Sequence, residues 1–106
     1  MKSKESYKHK SAKAILRNWL SKDYTAYTEV NFVDFVPDVV TYENSQIQAF
    51  YEVVHTCDIS GKKIGLMQYF CYVNNLEIFL HVVDAEYILK QCDPPDKIEK
   101  LSCKLV

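Results

Sequence analysis

At 106 residues, with 48 % apolar and 25 % charged residues and a formal net charge of −1, the chain suits one globular domain with a single core. No apolar run approaches the ~20 residues of a membrane span, no apolar signal core follows the basic start "MKSKESYKHK", and two glycines, Gly61 and Gly65, cannot build a glycine-rich phosphate loop. These features predict a cytoplasmic protein away from membranes, and the near-neutral total argues against a strong non-specific nucleic-acid binder.

The charge is unevenly placed. Lys2, Lys4, Lys8, Lys10, Lys13 and Arg17 face Glu5 alone within residues 1–17, a local surplus of +5, so the remainder sums to −6. Residues 1–6 read as a flexible basic tail. Ala12, Ile15, Leu16 and Trp19 then recur at i, i+3, i+4 and i+7, which predicts a helix over residues 7–20 with Lys10, Lys13 and Arg17 off the apolar face. Lys8, Lys10, Lys13 and Arg17 are candidate phosphate contacts. A solvated helix face explains the same residues. Tyr7 and His9 fall in the basic start and could touch phosphates, but read rather as tail residues.

"YTAYTEVNF", residues 24–32, is rich in aromatic and β-branched residues and predicts a first strand. A second is expected over 36–42, with Pro37 tolerated only at a strand start, an edge or a bulge. "ENSQ", residues 43–46, is a turn signal. The third strand, 47–56, is almost wholly apolar or aromatic and should be central, covered on both faces. "CDISGKK" breaks the pattern, with Asp58 or Ser60 as a helix cap. Leu66, Tyr69, Phe70 and Val73 make one helical face and Ile64, Met67 and Cys71 another, so a largely buried second helix should run to Asn74 and Asn75. Residues 76–83 predict a fourth strand. Asp84 can cap a short helix over 85–92, which "DPPD" stops. The remaining tail fits either a short helix or an edge strand. Cys57, Cys71, Cys92 and Cys103 lack the close pairs of a zinc site and read as buried free thiols.

The order predicts an α/β fold: a mixed four-stranded sheet flanked by helices. Strands one to three form an antiparallel meander, and a right-handed crossover makes strands three and four parallel. Asp38 in "FVPDVV" and Glu52 in "AFYEVVHT" are the anomaly. Carboxylates inside apolar strands persist only when paired or bound to a cation. Strands two and three lie side by side, so both can reach one end of the sheet. A hard divalent ion would relieve their repulsion.

This arrangement, with "PD" at Pro37–Asp38 and a glutamate 14 residues on in the next strand, resembles the PD-(D/E)XK nuclease superfamily and its restriction-endonuclease-like αβββαβ core. The resemblance implies metal-dependent phosphodiester hydrolysis, on DNA rather than RNA, with Asp38 and Glu52 holding Mg²⁺ or Mn²⁺. It also implies a possible homodimer. The superfamily's lysine stands two residues after the glutamate; Val54 occupies that place here. Lys62 or Lys63 could supply the amine from the second helix. Gln68 resembles the polar residue that some members aim at the site, and Glu29 a further acidic member. The bland alternatives are that Asp38 accepts hydrogen bonds near the turn, that Glu52 pairs with a lysine, and that His55 merely packs. The corresponding functions are a catalytically degenerate nucleic-acid-binding or assembly module on the same fold, or a small protein-interaction domain.

Overall fold

The structure, a computed structural model, describes residues 6–55 and 59–105. Thr56 (the expected strand end), Cys57, the cap candidate Asp58, and Lys2, Lys4 and Glu5 of the basic start lie outside them.

Helix α1, Tyr7–Leu20, begins where Ser6 accepts the His9 backbone N–H at 3.1 Å, satisfying one of the first-turn donors that have no partner within the helix. It buries Ala12, Leu16 and Trp19, as the spacing predicts, leaves Ile15 half-buried, and also buries Leu20 and Lys13, the lysine having been expected off that face. Strand β1 is shorter than expected, Thr25–Tyr27 in place of 24–32. Glu29 (φ 62°) and Val33 (φ 76°) take left-handed backbone conformations incompatible with a continuing strand. β-propensity alone does not register that interruption.

Strand β2, Val39–Glu43, starts after Pro37, which has no amide to give the ladder. It meets β3, Gln46–Val54, through a two-residue turn in which Asn44 and Ser45 both have positive φ, the geometry that matches the twist of a hairpin. β3 is central as expected, with every residue from Ala49 to Val54 buried. Helix α2, Gly61–Val73, is capped by Ser60, whose Oγ accepts from the Lys63 N–H at 3.4 Å. It ends at Asn74, where Asn75 turns left-handed (φ 58°) and the Leu76 N–H returns to the Cys71 carbonyl at 2.8 Å. The helix is less buried than its two apolar faces predict. Met67 and Cys71 are buried, while Tyr69, Tyr72 and Val73 face outward.

Strand β4 is Phe79–Asp84 and helix α3 is Ala85–Lys90, both offset from the expected 76–83 and 85–92. The ambiguous tail resolves as an edge strand, β5, Leu101–Lys104, so the sheet has five strands rather than four. Their order is β1-β2-β3-β4-β5, with β3 and β4 parallel and the other pairs antiparallel. One core joins α1 and α3 to the sheet through Leu16, Trp19, Tyr51, Val53 and Ile88. The other joins α2 to the opposite face through Val40, Phe50, Met67, Cys71 and Leu80. The expectation of buried thiols holds for Cys71 alone among the described cysteines; Cys92 and Cys103 are exposed. No helix among the described residues is long and apolar enough to cross a membrane.

His81 on β4 is wedged beside Tyr51, with Nδ1 2.7 Å from Ser102 Oγ. Burial, with the Lys100 charge adding to it, lowers its pKa from 6.5 to about 4. The folded state therefore holds its proton less tightly than the unfolded chain. The stability this residue contributes is complete above pH 6.5 and drains away as pH falls toward 4. His81→Asn should flatten the fall in melting temperature across that window relative to wild type. Parallel curves for the two proteins would refute this.

Candidate functional site

Register brings the two anomalous carboxylates together. Val39 stands opposite Tyr51, so the preceding residue, Asp38, lies level with Glu52 on the neighbouring strand. Glu52 is two residues beyond Phe50, which puts it on the α2 face of the sheet, while Asp38 sits in the bend just before β2. Both are buried, at 9 % exposure for Asp38 and 6 % for Glu52.

The strands exchange hydrogen bonds through these side chains. The Asp38 backbone N–H donates to Glu52 Oε2 at 2.9 Å, and the Val53 N–H donates to Asp38 Oδ2 at 2.8 Å. Each carboxylate thus fixes one oxygen on backbone and turns the other toward a helix. Asp38 Oδ1 lies 3.1 Å from His9 Nε2, in the first turn of α1. Glu52 Oε1 lies 2.7 Å from Lys63 Nζ, in the first turn of α2. Helices from opposite faces of the sheet therefore meet at one pair of acids.

Burial pushes the Glu52 carboxyl above its usual range, the Asp38 charge adds to that, and Lys63 pulls the other way. Desolvation and repulsion win. An acid whose folded pKa is raised costs stability once pH climbs past its unfolded value, near 4.5, and ionises it. Glu52→Gln keeps an oxygen for the Asp38 N–H and removes the repelled charge. At pH 7 its melting temperature, without added metal, should rise by a few degrees, at ~4–8 °C per kcal/mol for a domain near this size. A fall would show that the Lys63 attraction outweighs burial.

The other sequence candidates sit as follows. Glu29, on the loop after β1, has Oε1 2.7 Å from Lys13 Nζ. Lys62 is exposed, and of the two candidate lysines Lys63 is the one that meets a carboxylate. Gln68 is exposed, and no hydrogen bond among the described residues joins it to either acid. Lys8 Nζ stands 3.8 Å from Glu86, away from Asp38 and Glu52 in its pairing. Lys10 and Arg17 are exposed on α1, and Arg17 Nε donates to the Ala26 carbonyl at 3.1 Å. His55 packs its ring against His9, 5.7 Å between centroids.

Sequence reasoning missed His9, treating it as tail. The signal was Ser6. An N-cap serine there places His9 inside the first turn, in line with Lys13 and Arg17 at i+4 and i+8. No family model, no curated protein and no solved structure matches the chain. Fold and site together define an α+β domain with three helices and a mixed five-stranded sheet. A buried pair of acids, each met by a basic side chain from a different helix, marks one end of that sheet.

Proposed function

We propose that the chain is a metal-dependent nuclease acting on DNA, built on a restriction-endonuclease-like core of the PD-(D/E)XK kind. The observation that carries this reading is the 2.7 Å contact of Lys63 Nζ with Glu52 Oε1. Val54 cannot carry charge or donate a hydrogen bond from its side chain, and α2 supplies an amine to the same carboxylate instead. The order helix, three strands, helix, strand supports the core, with a third helix and a fifth strand appended.

The donor set suits a hard cation. Among the described residues no three His, Cys, Asp or Glu side chains group as a ready ligand shell. Two adjacent carboxylates are nonetheless what Mg²⁺ takes when it keeps several waters. Asp38 and Glu52 are the residues that would hold the ion. When bound, it would activate a water and stabilise charge on a phosphodiester. Lys63 would orient that water or offset developing negative charge. His9 would hold Asp38 in place.

A specific observation favours a second reading. His9 and Lys63 already stand against the two acids, as they would in a binding module whose carboxylates are structural ion pairs. Titration with Mn²⁺, followed by heat and by melting temperature, separates the two. The nuclease reading expects binding at millimolar ion or below, stabilisation of ~2.7 kcal/mol at a hundredfold excess over Kd, and cleavage of single-stranded, duplex or branched DNA. A folded protein that binds no ion and cuts none of these substrates belongs to the second reading.

A further inference from the structure

The stripe that begins at the site continues along α1. His9 meets Asp38, and Lys13 and Arg17 follow at successive turns on the same side. Lys13 and Arg17, with Lys10, Asn18, Tyr27 and Thr28, line a groove of about 400 Å³ between α1 and the edge strand β1. No carboxylate among the described residues forms an ion pair with Lys10 or Arg17. Tyr27 closes this groove and also borders a second one, of about 570 Å³, with Thr25 and Tyr42. Its ring meets Tyr42 edge to face at 5.8 Å and stays 48 % exposed. Tyr27 pairs with Val40, so its ring lies on the face of the sheet that carries Phe50 and Glu52, while the cations lie on the α1 side.

We infer that the substrate class of the proposed nuclease is single-stranded DNA. Its backbone follows Lys10 and Arg17, and the strand turns over the edge of β1 to stack a base on Tyr27. The inference rests on the nuclease reading for its chemistry and on the groove for its geometry. A cationic track beside an aromatic platform is the general solution for single strands, because every base has a π-face. An acidic peptide would use the cations and leave the ring idle. Duplex DNA keeps its base faces stacked, and with a persistence length of ~150 bp it does not turn round the edge of one strand. A single strand does both.

The test is fluorescence anisotropy in EDTA, so that binding is read without metal and apart from cleavage. The probes are a labelled 12-mer of thymidine, the same phosphate backbone made abasic, a uridine 12-mer of RNA, and a blunt 12-bp duplex. Wild type should bind the thymidine strand more tightly than the abasic strand, the RNA or the duplex. Tyr27→Ala should weaken thymidine binding about 5- to 150-fold, the range for one lost base stack. It should leave abasic binding unchanged, and Tyr27→Phe should retain wild-type affinity. Lys10→Ala should weaken both DNA single strands alike and reduce the slope of log K against log salt by ~0.7. Equal affinity of wild type for thymidine and abasic strands would overturn the proposal without recourse to any variant. So would tighter binding of duplex or RNA, or equal losses on both DNA single strands in Tyr27→Ala. Thymidine binding that persists while Mn²⁺ titration shows no ion would leave the track standing and remove the nuclease reading alone.

Discussion

Under the proposed nuclease reading, Lys63→Ala should cut Mn²⁺-dependent DNA cleavage by ~10²–10³, the usual cost of losing one donor aimed at transition-state charge, and leave ion affinity nearly unchanged. Lys63 is the basic group on Glu52, at 2.7 Å, and the position two residues beyond that glutamate holds Val54. Asp38→Ala and Glu52→Ala should lose cleavage and ion binding together, because each removes half of the carboxylate pair. Lys62→Ala is the internal control: its side chain is exposed one residue away, and its loss should change the rate less than twofold. Restoring Lys at the strand position, Val54→Lys in the Lys63→Ala background, tests whether the amine has migrated. Val54 is 7 % exposed beside buried neighbours, so the added charge carries a burial cost, and partial recovery is the expected ceiling. Lys63→Ala with unchanged cleavage would show that the 2.7 Å contact only neutralises Glu52.

The site was legible where period and punctuation agree. "PD" near the start of one expected strand, 36–42, and a glutamate inside the next predict neighbouring buried acids, because a hairpin with a short turn fixes which residues stand level; the structure starts β2 at Val39, just after Asp38. The strand order was legible for the same reason. The first strand was not: "YTAYTEVNF" has uniform β-propensity, which does not register the left-handed backbone at Glu29 and Val33 or the local turn in which the Phe32 N–H donates to the Phe35 carbonyl at 2.9 Å. The exposure of Tyr69 and Tyr72 was also hidden, since two apolar faces on α2 do not reveal that the sheet is wide enough to cover only one. β5 escaped because its residues alternate in no clear period and all four are exposed; its pairing with β4 alone defines it as strand. His9 escaped because nothing in its own segment shows that Asp38, 29 residues on, comes to the first turn of α1.

Phe50→Ala should destabilise the fold by ~3–5 kcal/mol, the cost of truncating a buried aromatic ring. Phe50 is fully buried on β3, two residues before Glu52 and on the same face. Its ring meets Phe32 at 5.3 Å and Phe35 at 5.4 Å, both edge to face, and Phe70 at 6.3 Å. Phe32 and Phe35 belong to the loop that delivers Asp38, and Phe70 belongs to α2, which delivers Lys63. One ring therefore ties together three segments that supply the site. The loss is a large fraction of the ~5–15 kcal/mol that stabilises a typical domain. Melting by circular dichroism should fall by roughly 12–40 °C. Tyr72→Ala, on the outer face of α2 and 75 % exposed, should move stability by less than ~0.5 kcal/mol. The same cavity should loosen the hold of Phe35 on the Asp38 loop, so ion binding by Phe50→Ala should weaken at temperatures where the protein is still folded. A melting shift below about 5 °C would mean that Phe32, Phe35 and Phe70 close over the gap, and that the aromatic cluster is not what positions the acids.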